Sequence, residues 1–355
     1  MKIGITIGDV NGIGSEIIIK VLSNELLLSK FTPIIYGSSK VLSYHKNTLK
    51  DIDASFYNIT SADSAQKGKI NVINCWEENV NITLGQATED GGKFAYIALD
   101  KATRDLKDGQ IDALVTAPIN KEAMAIAKFP YPGHTEFLEK ELGGKSLMMM
   151  VSSDLKVAVV TNHIPVKDIA TKLTKQLILE KLDTFNQSLI KDFDKERPVI
   201  AVLGLNPHAS DNGTIGEEDE KIVKPAIIEA KKKGMIVSGP YSADGFFGSG
   251  LYKKVDGVLA MYHDQGLIPF KTISFGDGVN YTAGLDFVRT SPDHGTGYDI
   301  VGQDKADTNS FVAALFLAIN IRKNRAQYSF DRKNSIVKSQ RSSYNEDDDE
   351  ILDEN

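Results

Sequence analysis

VAVVTNH (157–163), VLGLNPH (202–208) and VLAMYHDQ (258–265) are the segments that decide the fold. Each is a short apolar run that stops at a polar turn bearing a histidine. Runs this short, bounded by turn residues, read as strands buried on both faces rather than as helices. ITIGD (5–9) and LVTAP (114–118) are built the same way and present Asp9 and Thr116. Similar runs stand at Lys2–Ile7, where Ile3, Ile5 and Ile7 alternate, and at Ile34–Tyr36, Leu147–Val151 and Val199–Leu203.

Longer helical patterns separate these runs. Phe94, Ile97, Ala98 and Ala102 recur at helical spacing, with Gly109 as the stop. Another helix starts in the acids Glu217–Glu220 and ends in Lys231–Lys233 before Gly234, a polarity that suits the helix dipole. Pro225 inside it predicts a kink or two shorter helices. An amphipathic stretch from Ser310 to Arg325 predicts a terminal helix. Strands alternating with helices predict an α/β fold, with mostly parallel sheets flanked by helices. No repeat at a solenoid period is present. Residues 331–355 are polar and close on EDDDEILDEN. They hold too few apolar anchors to offset their ordering entropy, which predicts a disordered acidic tail.

The chain has 355 residues, enough for two domains. Its 41% hydrophobic and 25% charged residues are ordinary for a globular protein. A net charge of −7 without a basic patch argues against nucleic-acid binding. No run approaches the roughly 18 apolar residues of a membrane helix. The start, MKIGITIGDV, lacks signal-peptide architecture. Cys75 is the single cysteine, which rules out an intrachain disulfide and a cysteine-based zinc site. Cytoplasmic residence is the default expectation, and any metal must be held by histidine and carboxylate.

Ligands of open parallel sheets bind beyond the carboxyl ends of the strands. That rule predicts one rim carrying Asp9, Thr116, His163, His208 and His263. No H-x-x-x-H pair exists, so a helix-borne zinc site is excluded. Three imidazoles from three strand ends could complete a metal site that keeps positions open for substrate. Any one of them alone reads better as a hydrogen-bonded loop or core histidine; their shared topological position favours a common ligand set. GDVNGIGSE (8–16) is neither G-x-G-x-x-G nor a Walker motif, and a turn needing positive φ explains its glycines. GHTEF (133–137) and RTSPDHGTGYD (289–299) concentrate anion-binding side chains. Arg289 offers a fork suited to phosphate and Lys271 a point charge.

TAPINKEAM (116–124), YPGHTEF (131–137), TNHIPVKD (161–168), GLNPHA (204–209), YHDQGLIPFK (262–271) and RTSPDHGTGYDIVG (289–302) together strongly resemble the 4-hydroxythreonine-4-phosphate dehydrogenase family of vitamin B6 synthesis. The resemblance runs from Lys2 to about Arg325. It implies an isocitrate/isopropylmalate dehydrogenase-like architecture of two α/β domains with the active-site cleft between them. Residues 1–120 plus 265–330 would form a discontinuous first domain, and 121–264 a second with dimer contacts. The assembly implied is a homodimer whose sites draw on both subunits. The activity implied is NAD(P)-dependent oxidation and decarboxylation of 4-phosphohydroxy-L-threonine to 3-amino-2-oxopropyl phosphate. NAD or NADP is the cofactor, with one divalent metal, zinc, cobalt, magnesium or manganese, at each site.

The resemblance also carries residue roles. His163, His208 and His263 match metal ligands. His134, Thr135, Lys271, Asn280 and Arg289 match substrate contacts. Asp244 and Lys271 are the candidate catalytic residues, and His294, Gly295 and Thr296 match an adenosine-binding loop. There are departures from the family's pattern. Val10 and Ser15 replace the prolines of GDPxGIGPE. Ala209, Ser210, Asp211, Asn212 and Gly213 stand where AGEGG is usual, and Gly245 replaces the threonine of PADT. Two other readings remain open here: a dehydrogenase of threonate- or erythronate-type 4-phosphates, and a three-histidine metal hydrolase with no nicotinamide dependence.

Overall fold

The structure is a computed structural model, described here for residues 1–334 apart from Pro132 and Phe275. Its strands are β1 (Lys2–Thr6), β2 (Thr32–Gly37), β3 (Phe56–Ile59), β4 (Ile70–Asn74), β5 (Ala113–Thr116) and β6 (Leu147–Val151). β7 (Lys156–Thr161), β8 (Val199–Leu203), β9 (Ile236–Tyr241), β10 (Gly257–Tyr262), β11 (Val279–Ala283) and β12 (Arg289–Pro292) follow. The helices of the amino-terminal half are α1 (Gly14–Leu22), α2 (Glu25–Leu28), α3 (Ser39–Lys46), α4 (Glu89–Lys107), α5 (Lys121–Ile126) and α6 (His134–Leu142). The remainder are α7 (Ile169–Lys172), α8 (Lys175–Lys191), α9 (Lys224–Lys232), α10 (Ala243–Gly248), α11 (His263–Ile273) and α12 (Asn309–Lys333).

All twelve strands join one sheet, ordered β3-β4-β2-β1-β5-β12-β11-β6-β7-β10-β8-β9. Of its eleven pairings, eight are parallel. The three antiparallel ones all involve β11 or β6. This seam reverses direction, so β7, β10, β8 and β9 run opposite to β1, β5 and β12 in ladder sense. The single rim expected from the apolar runs is therefore two. Asp9 and Thr116 leave one block of strands, while His163, His208 and His263 leave the other. Apolar patterning encodes burial and not strand direction, and the β6–β7 hairpin that makes the reversal is only a short turn at Ser152–Leu155.

The core follows the pleat. Leu147, Met149 and Val151 of β6 point into the main apolar cluster. Met148 and Met150 point to the other face, where they pack with Val157, Val159, Phe246 and Phe270. The carboxyl-terminal helix is fastened by a polar knot. Arg325 donates from Nε to Asp192 Oδ1 (2.6 Å) and from Nη2 to Tyr281 Oη (3.0 Å). Tyr281 and Ser188 hydroxyls both donate to Asp192 Oδ2, each at 2.6 Å. One carboxylate thus ties α12, α8 and β11. Burial pulls the Arg325 guanidinium down, but Tyr281 and Asp192 outweigh it and hold it above its ordinary range.

Several elements escaped the apolar pattern for identifiable reasons. β11 (VNYTA) and β12 (RTSP) bury Thr282, Arg289 and Thr290, whose polar atoms bond to other groups in place of an apolar signal. β9 contains Gly239 and Pro240, and β3 is a half-exposed edge. The helix expected to break near Pro225 does so: a π-helical turn, Asp219–Val223, leads into α9, with Pro225 at its second position. The terminal helix extends to Lys333, past the expected boundary at Phe330. The rest of the predicted acidic tail lies outside the described residues. Among the described residues no helix is long and apolar enough to cross a membrane.

Replacing Asp192 with Asn leaves the Arg325 charge buried without its partner. We expect a loss of about 3 kcal/mol in denaturant unfolding; a loss below about 1 kcal/mol would show that the knot adds little.

Candidate active site

The first loop explains its glycines differently from expectation. Of Gly8, Gly12 and Gly14, only Gly8 has positive φ (68°). Gly12 is needed for close approach: a Cβ there would lie 2.8 Å from the Thr296 carbonyl oxygen. The 294–297 loop is laid directly on this turn, with the Ile13 amide donating to Thr296 O at 2.9 Å. Asp9 is buried beside it, accepting from the Asn11 amide (2.9 Å) and from the Tyr298 hydroxyl (2.5 Å). Burial raises the Asp9 carboxyl above its usual range against those two bonds.

Arg289, the first residue of β12, is buried at the meeting of β5, β12 and β11. Its Nη2 donates to Thr116 Oγ1 at 2.7 Å and to His134 Nδ1 at 3.1 Å. Nε also reaches Thr116 Oγ1, and Nη1 reaches Thr282 Oγ1, both at 3.2 Å. Among the described residues no carboxylate forms an ion pair with it. Burial pulls its pKa down to about 10, with Glu136 opposing. His134 opens α6. Burial, then the Arg289 charge, hold its imidazole well below the ordinary 6.5, so it is neutral. Since Nδ1 accepts from Arg289, the proton sits on Nε2, and that buried N–H has no partner. Asn280 Oδ1, two residues before Thr282 on the same strand face, is likewise sealed and unpartnered. Thr135 is the next residue of α6. Buried polar groups are normally satisfied. The Arg289 fork and the His134 N–H are donors that complement an anion, whereas the Asn280 oxygen is an acceptor and suits a ligand hydroxyl or N–H.

The three strand-end histidines sit on adjacent parallel strands, in the order β7, β10, β8. His163 and His263 are together, with ring centroids 5.6 Å apart, and both line a cleft of about 190 Å³. His263 Nδ1 donates to Asp264 Oδ1 at 2.7 Å, which leaves Nε2 as a free electron-pair donor. Burial, then Lys121, lower the pKa of His163, which keeps it neutral. Two imidazoles side by side, one oriented by a carboxylate, are the donor type that a divalent transition metal takes. His208 lies one strand further on. Asp244, in the first turn of α10, lies in its neighbourhood, and the Asp244 carboxylate is held below its usual range chiefly by the Ser242 hydroxyl. Among the described residues no three of His, Cys, Asp and Glu gather closely enough to hold a metal. The structure thus joins His163 to His263 and leaves His208 beside Asp244.

A third region is a cleft of about 350 Å³ lined by Lys271, Asp293, His294, Gly295, Gly297 and Ser310. Thr296 turns inward against Gly12 and backs the cleft rather than lining it. Lys271, in the last turn of α11, pairs with Asp293 Oδ1 (3.0 Å) and donates to its carbonyl (3.2 Å). α11 therefore runs from His263 to the 294–297 loop, a span of about 12 Å at 1.5 Å per residue. Glu136 acts on both His163 and Arg289, which brings the histidine pair and the anion pocket into one neighbourhood. Thr282, Tyr298 and Asp293 are site residues that sequence reasoning missed. Thr282, two residues beyond Asn280 on a strand, carried the one readable signal.

Comparison with known proteins gives a consistent result. The family model described as pyridoxal phosphate biosynthetic protein PdxA matches residues 29–318. The 4-hydroxythreonine-4-phosphate dehydrogenase of Bacteroides thetaiotaomicron is 48% identical over 340 residues, covering 95% of this chain and 93% of that protein. The Aquifex aeolicus enzyme of the same name is 42% identical over 317 residues, covering 89% and 97%. A crystal structure of 4-hydroxythreonine-4-phosphate dehydrogenase from Klebsiella pneumoniae superimposes with a TM-score of 0.78 at 36% identity, over 90% of this chain and 98% of that one.

The arrangement at Arg289 makes a spectroscopic prediction. In the protein labelled with nitrogen-15 histidine, His134 should remain the neutral Nε2–H tautomer as pH falls through 6.5. A titration midpoint at or above that value would contradict the assignment.

Proposed function

The chain belongs to the PdxA family of pyridoxal phosphate biosynthetic proteins, and on that premise we propose that it oxidises and decarboxylates 4-phosphohydroxy-L-threonine. The substrate's secondary alcohol loses a hydride to NAD or NADP and a proton to a base. The resulting β-keto acid releases CO2 and takes up a proton, leaving 3-amino-2-oxopropyl phosphate. The observation that carries this reading is the buried Arg289, bonded to hydroxyls and a neutral imidazole and lacking a carboxylate.

Arg289, the His134 Nε2–H, Thr135 and Asn280 bind the phosphate end in this reading. Thr116 and Thr282 fix the guanidinium before substrate arrives, so little reorganisation is needed on binding. Lys271 and Asp244 are the residues proposed to move protons at the reacting carbons. When bound, a divalent metal supplies Lewis acidity toward the substrate's hydroxyl and carboxylate oxygens. His163 and His263, which stand together, would hold it with His208, which this chain leaves beside Asp244, as the third proposed ligand; their nitrogen donors suit zinc or cobalt best. His294, Gly295 and Thr296 form the loop for the adenosine end of the cofactor.

The proposed domain division, 1–120 plus 265–330 against 121–264, falls between β11 and β6, at the antiparallel seam. A homodimer is supported by apolar side chains beside the histidine cleft. Val166 is 77% exposed, as is 63% of Ile268, a turn after Asp264. Large apolar side chains left in water near a cleft suit a subunit interface.

Purified protein given 4-phosphohydroxythreonine, each nicotinamide cofactor and a metal panel should form reduced cofactor and CO2 in equal amounts. The unphosphorylated substrate should be poorer by about 1,000-fold in kcat/KM, because it leaves the anion pocket empty. Turnover that needs no nicotinamide, or that ignores the phosphate, would overturn the reading. Replacing His263 with Ala should abolish metal binding and turnover while the circular dichroism spectrum is retained. Full activity of that variant would remove the metal from the account.

A further inference from the structure

The turn that carries His208 has an unusual backbone. His208, Ala209, Ser210, Asp211 and Asn212 all have positive φ, at 55°, 51°, 68°, 42° and 54°. None is glycine. L-residues enter this region singly and at a cost, with Asn and Asp the most tolerant. The family that this chain resembles uses glycine at the positions of Ser210 and Asn212. A run of this kind persists only where its surroundings over-determine it.

Those surroundings centre on one carboxylate. Asp219 is fully buried at the start of the π-helical turn before α9. Its Oδ1 accepts from the Leu205 amide at 2.6 Å. Its Oδ2 accepts from the Asn206 amide at 3.0 Å and from the Ser210 hydroxyl at 2.6 Å. The Asn206 side-chain amide closes the ring, donating to Ser210 Oγ at 3.1 Å and to Glu218 Oε2 at 2.9 Å. Among the described residues no cation pairs with Asp219, so its charge serves these donors alone. The three bonds bracket His208: two precede it in the chain and one follows it.

We propose that Asp219 is the positioning residue for His208, its carboxylate imposing the left-handed turn that presents the imidazole. The Ser210 hydroxyl supplies, through that bond, what glycine would supply by freedom of rotation. The proposal rests on reading His208 as a metal ligand. It adds that the ligand's placement depends on a residue that touches neither metal nor substrate.

The test is titration of the full-length protein with cobalt(II) alone, followed by its visible absorption, which reports both affinity and coordination geometry. Asp219→Asn must turn an NH2 toward either the Leu205 or the Asn206 amide. We expect it to weaken cobalt binding about 10- to 100-fold and alter the spectrum, with the KM for the nicotinamide cofactor unchanged. Ser210→Gly in that background should restore most of the affinity, a rescue that a merely structural role would not give. A second pair needs no Asp219 variant. Ser210→Ala keeps the strained Cβ and loses the bond, so it should weaken cobalt binding several-fold. Ser210→Gly loses both and should stay within about twofold. Equal affinities for that pair, or an unchanged cobalt affinity in folded Asp219→Asn, would overturn the proposal. His208→Ala separates the two levels. Unchanged cobalt binding in that variant would remove His208 as a ligand and the proposal with it. Weakened binding there beside unaltered binding in Asp219→Asn would overturn the positioning role alone.

Discussion

A buried guanidinium that forms no ion pair with a carboxylate among the described residues is the constraint around which this protein is organised. Taking a cation out of water costs several kcal/mol unless partners replace the lost hydration. At Arg289 the partners are two threonine hydroxyls and a histidine kept neutral by the same burial. They accept four hydrogen bonds from its N–H groups, and none of them brings a compensating charge. In the proposed reading an anion completes the site, and the His134 N–H, unpartnered among the described residues, and the α6 amino terminus suit the same ligand. The seam strands exist in this geometry to hold that cluster: Thr116 ends β5, Arg289 begins β12 and Thr282 sits on β11.

Arg325 shows what the alternative looks like. It is nearly as buried, but Asp192 and Tyr281 surround it, and its basicity rises where that of Arg289 falls. Arg325 fastens a helix and needs nothing further. The two residues are chemically identical, and environment alone separates structural cation from ligand anchor. The Asp192 knot also holds β11, so the structural arginine steadies the strand that serves the functional one.

Much of this was readable before any coordinates. Short apolar runs ending on histidine or threonine correctly implied an α/β sheet and singled out residues that the fold clusters in separate pairs. Arg289 stood out because RTSPDHGTGYD concentrates anion-binding side chains and its guanidinium is a fork suited to phosphate. Strand direction did not, because a burial pattern is the same read either way, and so two rims were taken for one. β11 and β12 were missed since their buried hydroxyls bond to the Arg289 guanidinium and to the Ala314 carbonyl instead of being apolar. The conformation at His208 was also invisible. Ser210 and Asn212 in place of glycines suggest an ordinary turn, and the compensating carboxylate, Asp219, lies further along the chain in an acidic segment that reads as solvated.

The central claim, that Arg289 is the substrate's phosphate anchor, is tested most directly by a cycle crossing Arg289→Met with removal of the phosphate from the substrate. Each change alone should lower kcat/KM steeply, and the second should then add little, giving a coupling of about 3 kcal/mol or more. Independent effects that simply add, with the variant still discriminating fully between phosphorylated and unphosphorylated substrate, would contradict it.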